Sequence, residues 1–197
     1  MPRRAIFIDR DGTINHEVGI INDPQALTLI DGAADALGRA AAAGFQTIVI
    51  TNQSAIALGK LDEATLADIH DRLRDLLYEG GVRLDAIYYC PHHPTIGEGR
   101  WTRACDCRKP ADGLLQRAGR EMGIALKDSY MIGDRIRDVR AGHAAGATAV
   151  LVRTGFGKDE EADAKAAENG SAPATIADNI SAAIDWILKK EASSDEC

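Results

Sequence analysis

The pentapeptide Asp9-Arg10-Asp11-Gly12-Thr13 sets two carboxylates two residues apart, directly after the apolar run from Ala5 to Ile8. If that run is a strand, the side chains of Asp9 and Asp11 share one face at its end. Such a pair can divide labour: one carboxylate, held ionised by a metal, attacks as a nucleophile, and the other carries a proton for the leaving group. Their spacing does not say which of the two attacks. Three later signals extend the constellation. Thr51-Asn52-Gln53-Ser54 offers hydroxyl and backbone donors to phosphate oxygens, and Lys109 can neutralise charge on a transferring phosphoryl group. Gly133-Asp134, followed by Asp138, adds carboxylates suited to a hard, oxygen-seeking cation such as Mg²⁺. Asp, Thr, Lys and Asp beyond the ends of successive apolar runs describe a site for phosphoryl transfer.

A second constellation lies between Cys90 and Cys107, which read CPHHPTIGEGRWTRACDC. Cys90-x-His92, then twelve residues, then Cys105-x-Cys107 supplies four soft or borderline ligands, the number a closed tetrahedral zinc site needs. His93 falls outside this alternation and is read as a non-ligand. Four protein ligands leave no open position for water, so a zinc here is structural: it folds a loop that lacks an apolar core and aims the cations that follow it, Arg108 and Lys109. Trp101 either packs over this loop or reaches substrate. His16, His70 and His143 have no partner visible in the sequence and are assigned surface or packing roles.

These groups need a frame. Ala5–Ile8, Thr47–Ile50, Ala86–Tyr89, Tyr130–Ile132 and Ala149–Val152 are continuous apolar runs rather than alternating ones, the pattern of strands buried on both faces of a parallel sheet. Helical patterns intervene. One runs from Asp31 to Ala43 and stops at Gly44; another is capped by Asp62 and carries Leu66, Ile69, Leu73, Leu76 and Leu77 on one side. A third begins near Asp112, and a fourth follows Asp134 as far as Gly146. This alternation predicts a doubly wound, Rossmann-like α/β fold with ligands outside the carboxyl ends of the strands. Only 37 residues separate Thr13 from Thr51, too few for a large inserted cap domain. Residues 158–172 read as a charged, loose segment, and a stripe from Ile180 to Leu188 as a last docking helix. A single domain over residues 1–190 is expected, with a disordered tail at 191–197.

The chain has 197 residues, 45% of them hydrophobic, and a net charge of −7. No long basic run is present, so nucleic acid is not expected as a partner. No apolar run approaches the ~20 residues of a membrane span, and the start shows no signal-peptide core. A cytoplasmic monomer acting on a small molecule is the expectation; in that compartment clustered thiols bind metal rather than form disulfides.

DRDGT, TNQS, RKP and GDxxxD, in this order, resemble the haloacid dehalogenase-like phosphatases over about residues 5 to 152. The resemblance implies that Asp9 is the nucleophile that becomes an aspartyl-phosphate and Asp11 the general acid/base. It also implies that Thr51 and Lys109 stabilise the phosphoryl group and that Mg²⁺ is held by Asp9, the Asp11 carbonyl and Asp134. CPHHP and CDCRKP narrow the resemblance to the D-glycero-D-manno-heptose-1,7-bisphosphate 7-phosphatases and the related histidinol-phosphate phosphatases. That group implies zinc on Cys90, His92, Cys105 and Cys107, substrate recognition by Arg108, and a substrate entrance lined by Glu17, Val18, Gly19 and Ile20. Arg135, beside Asp134, adds a further positive charge to the expected site. TNQS is usually followed by Gly, an apolar residue, Ala and Arg; here Ala55, Ile56, Ala57 and Leu58 follow, and Ala111-Asp112-Gly113 replaces the common Pro-Gly after RKP. These departures leave the anomer of the substrate open. Two other classes fit less well: a phosphorylated receiver needs a long-lived phosphoaspartate, which a second carboxylate opposes, and a polynucleotide phosphatase is disfavoured by the acidic charge.

Overall fold

The computed structural model describes residues 3–97, 99–167 and 171–194. Six strands form one parallel sheet: β1 (Arg4–Ile8), β2 (Phe45–Asn52), β3 (Ala86–Cys90), β4 (Tyr130–Gly133), β5 (Thr148–Val152) and β6 (Thr175–Ala177), in the order β3-β2-β1-β4-β5-β6. Six helices connect or follow them: α1 (Ala33–Ala42), α2 (Glu63–Glu79), α3 (Gly113–Met122), α4 (Ile136–Ala145), α5 (Gly157–Ala166) and α6 (Ile180–Ser194). The reason for the unbroken apolar runs is visible in β1. Ile6 and Ile8 pack with Leu37 of α1, Leu73 of α2 and Ile184 of α6, whereas Ala5 and Phe7 pack on the other face with Leu115 of α3 and Ala141 of α4. Both sides of the pleat are covered, so neither can be polar.

Chain direction between neighbours places the site. From β1 the chain first builds outward through β2 and β3, then crosses to β4 on the opposite side and continues to β5 and β6. The two halves part between β1 and β4, and there a crevice opens beyond the strand ends. Ile8 lies in register with Ile132, and Asp9 N donates to Ile132 O at 2.9 Å, so the residues following both strands meet in that crevice. Local signals set the helix ends: the Asp62 carboxylate accepts from Thr65 N at 2.7 Å to start α2, and Gly123 and Gly146 close α3 and α4 in the left-handed region.

The structure departs from expectation in three places. The segment expected to be loose, 158–172, is helical through Ala166, because Ala164 is buried against Val139, Ala149 and Leu151 while Glu161 pairs with Arg153 and Lys165. A sequence so rich in charge hides one buried alanine. Its residues 168–170 lie outside the described ones. The short β6 was not foreseen; three residues with one buried position, Ala177, give little pattern to read. The tail expected to be disordered from 191 instead continues α6 to Ser194, with Glu191 pairing with Arg4 and accepting from the Tyr130 hydroxyl; residues 195–197 lie outside the described ones. Among the described residues no helix is long and apolar enough to cross a membrane.

Candidate active site and metal cluster

Asp9 stands in the crevice, 3% exposed. Its Oδ1 accepts from Arg10 N at 2.7 Å and faces Lys109 Nζ at 2.9 Å, so Oδ2 is the oxygen free to attack. Lys109 follows the cysteine loop after β3 and is 1% exposed. Its Nζ donates to Ile50 O at 2.7 Å and pairs with Asp138 at 2.7 Å, which aims it. Asn52 clamps its backbone: Nδ2 donates to Lys109 O and Oδ1 accepts from Lys109 N, both at 3.1 Å. Asn52, expected to bind substrate, lines the cavity and also fastens the lysine.

Asp11 is held from three directions. Arg10, 1% exposed, forks onto it through Nε and Nη2 at 2.9 to 3.1 Å, Asn15 Nδ2 donates at 3.0 Å and Gln53 Nε2 at 2.9 Å. Gln53 Nε2 also donates to Thr51 Oγ1 at 2.9 Å. Gln53, which also lines the cavity, thereby orients both the acid/base and the hydroxyl. Arg10 and Asn15 were not singled out from sequence: a charge inside an acidic pair reads as solvated, and only its packing beneath the turn shows its partner.

Asp134 completes the carboxylate group. Asp9, Asp134 and Asp138 each bring an oxygen within 4.8 Å of the others. The backbone makes room for it: a Cβ on Gly12, at φ +78, would lie 2.3 Å from Asp134 Oδ2, and one on Gly155, at φ +56, 2.1 Å away. Burial raises the pKa of Asp9 to about 6, Lys109 opposing, and burial together with Asp9 and Asp138 raises that of Asp134 to about 8. Asp134 Oδ1 is buried without a partner among the described residues. Crowded, desolvated carboxylates with an orphaned oxygen are a donor set that a hard divalent cation fits.

A cavity of about 130 Å³ opens above these groups, lined by Asp9, Asp11, Glu17, Gly19, Ile20, Thr51, Ser54 and Arg137, among others. Glu17, Gly19 and Ile20 therefore stand where the entrance was expected, while Val18 faces outward, 59% exposed. Burial raises the pKa of Glu17, whose carboxylate accepts from Gly19 N at 2.7 Å. Arg135 does not reach the cavity. Its guanidinium pairs with Glu160 at 2.5 Å and lies 4.1 Å over the Phe156 ring. It is the residue before α4, and two positions on a helix point to different sides, so Arg137 takes the inward direction that was expected of Arg135.

In the loop, Cys90, His92, Cys105 and Cys107 converge. Cys107 Sγ lies 3.2 Å from Cys90 Sγ and 3.3 Å from both Cys105 Sγ and His92 Nδ1, and Cys90 Sγ lies 3.6 Å from Cys105 Sγ and from His92 Nδ1. A tetrahedron with Zn–S of ~2.3 Å has edges of about 3.5–3.8 Å, close to these, whereas a disulfide needs ~2.05 Å. His93 is outside the cluster; its Nδ1 accepts from Ile96 N at 2.9 Å. Burial and Arg103, whose Nε donates to His92 Nε2 at 3.1 Å, lower the pKa of His92. Trp101 packs on the cluster, its ring 5.5 Å from that of His92. Arg108 leaves the loop with Nη1 donating to His92 O at 3.0 Å, which ties its direction to the cluster.

Residues 106–183 match the HAD-hydrolase-like family. A D-glycero-beta-D-manno-heptose-1,7-bisphosphate 7-phosphatase of Photorhabdus laumondii is 42% identical over 81% of this chain and 85% of its own length. The chain belongs to that phosphatase family. Another member, from Escherichia coli strain K12, is 44% identical over 77% of this chain and 80% of its own. The solved D,D-heptose 1.7-bisphosphate phosphatase of B. bronchiseptica, complexed with magnesium and phosphate, superposes with a TM-score of 0.83 at 30% identity, covering 95% of this chain and 99% of that one. The family supplies the haloacid dehalogenase-like fold and phosphomonoester hydrolysis; the described sheet and carboxylate cluster are its expression in this chain.

Proposed function

We propose that this chain removes the 7-phosphate from D-glycero-β-D-manno-heptose 1,7-bisphosphate, as a cytoplasmic monomer, with Mg²⁺ on Asp9, Asp134 and the Asp11 carbonyl and structural Zn²⁺ on Cys90, His92, Cys105 and Cys107. The observation that carries it is Asp9 Oδ1 held between Arg10 N and the buried Lys109, beside Asp134, at the end of β1. Asp9 Oδ2 attacks phosphorus in line, and Asp11 gives its proton to the departing sugar oxygen. Water then attacks the aspartyl-phosphate with Asp11 as base, returning Asp9 and releasing phosphate. Lys109 and Thr51 stabilise the charge that develops on the phosphoryl oxygens. The cation, when bound, neutralises the phosphoryl group as it approaches a carboxylate. Glu17, Gly19, Ile20 and Ser54 contact the sugar phosphate at the cavity mouth, and Arg108 is fixed toward it by the zinc loop. The substrate class follows the printed names of relatives above 40% identity.

Phosphate release from the β and α heptose 1,7-bisphosphates and from histidinol phosphate tests this reading, with zinc content and oligomeric state measured on the same sample. The β bisphosphate is expected to be turned over best. Faster hydrolysis of histidinol phosphate overturns the substrate assignment, and a stable phosphoenzyme with no turnover overturns the enzymatic one.

A further inference from the structure

We infer that Arg137 is a specificity-determining residue whose guanidinium takes an anionic group of the substrate other than the phosphoryl group under attack, a second phosphate in the reading above, on which this inference rests. Among the described residues lining the active-site cavity Arg137 is the only cation, and Asp9, Asp11 and Glu17 supply three carboxylates. The reacting phosphoryl group already has its cation: Lys109 contacts Asp9 directly and is locked by Asp138 and Ile50 O. Arg137 makes no ion pair or hydrogen bond among the described residues, and its Nε is buried without a partner. Arg135, two residues earlier, instead pairs with Glu160 and lies over the Phe156 ring.

Position argues further. Arg137 is the second residue of α4, in the first turn, where the helix dipole disfavours a cation. The half-buried guanidinium makes no ion pair there, and its charge is balanced only at longer range by Asp138, Asp9, Asp134 and Glu160. What it offers is a planar fork of donors for a phosphate dianion entering past acidic walls. In the loop after β2, Ala55, Ile56, Ala57 and Leu58 carry no charge, and Lys60 does not line this cavity.

The test compares Arg137→Met, Arg137→Gln and Arg137→Lys with the unaltered enzyme on paired substrates: heptose 1,7-bisphosphate against heptose 7-phosphate, and fructose 1,6-bisphosphate against fructose 6-phosphate. Met and Gln are expected to raise KM for the preferred bisphosphate by roughly tenfold or more, with kcat within about threefold and the matching monophosphate unaffected; Lys recovers part of the loss. Equal loss on both members of a pair places Arg137 on the reacting phosphoryl group and overturns the inference, as does no loss on either. If the unaltered enzyme prefers the fructose pair, the heptose reading fails while loss of that preference in the variants upholds Arg137. If it prefers neither bisphosphate to its monophosphate, the Arg137 assignment falls.

Discussion

The crevice beside β1 and the loop after β3 each gather a cluster of groups that disfavour one another, carboxylates in one and thiols with an imidazole in the other, yet they are assembled by different means. In the crevice, Asp9 and Asp134 follow strands locked in register, and their burial is a consequence of a sheet covered on both faces. The hydrophobic core holds them together against their own repulsion. The loop has little such core. Glycine and polar residues fill most of residues 91–107, Trp101 covers one side, and Gly113 N donates to Asp106 O to tether it to α3. There the ligand atoms themselves must hold the shape once a metal joins them. Fold makes the first cluster, and the second cluster makes its own fold.

The largest effect that should separate the two regions is chemical. Asp9→Asn removes the attacking oxygen and is expected to lower turnover by roughly 10³-fold or more while thermal unfolding stays near that of the unaltered protein, because an amide fits the same buried space. Near-normal phosphate release in this variant would remove Asp9 from its role. Next in size, Cys107→Ser or selective zinc removal should free amide exchange in residues 91–107 but leave β1 and β4 protected. It should also raise KM for the bisphosphate roughly tenfold, because Arg108 loses its anchor on His92 O. If exchange instead accelerates throughout the sheet, the contrast between a core-made and a metal-made region is wrong.

A smaller effect concerns pH. Asp9 and Asp134 have folded pKa values raised to about 6 and about 8, so between roughly pH 4 and 8 the metal-free folded state binds more protons than the unfolded chain. Its stability from these groups therefore falls as pH rises through that window. Melting temperature measured without Mg²⁺ should decline toward pH 8, and added Mg²⁺ should raise it more at pH 8 than at pH 5. An equal Mg²⁺ increment at both values would mean that the cluster does not receive the ion. Smallest is His70, buried in α2 with its ring 5.8 Å from that of Tyr89 and its pKa lowered to about 3, mainly by burial. Because the unfolded chain protonates this group first, its contribution to stability is lost as pH falls below the ordinary histidine range. His70→Leu should flatten that acid slope without changing turnover at neutral pH; altered kcat would tie His70 to the nearby Arg10.

The strands β1 to β5 and the helices between them were readable because a doubly covered parallel sheet leaves unbroken apolar runs, and no single contact matters to that pattern. The same holds for the chemistry-bearing residues themselves: Asp9, Asp11, Asp134, Lys109 and the four cluster ligands stand out by type and spacing, since their chemistry constrains both. What sequence did not reveal is direction. Asn52 and Gln53 line the cavity and at the same time fasten Lys109 and Asp11, Arg10 disappears beneath the site, and Arg137 rather than Arg135 enters the cavity. Charge and spacing name the candidates in a chain of 197 residues, but which way a side chain points depends on packing from elements far away in sequence, and only the folded sheet brings those elements together.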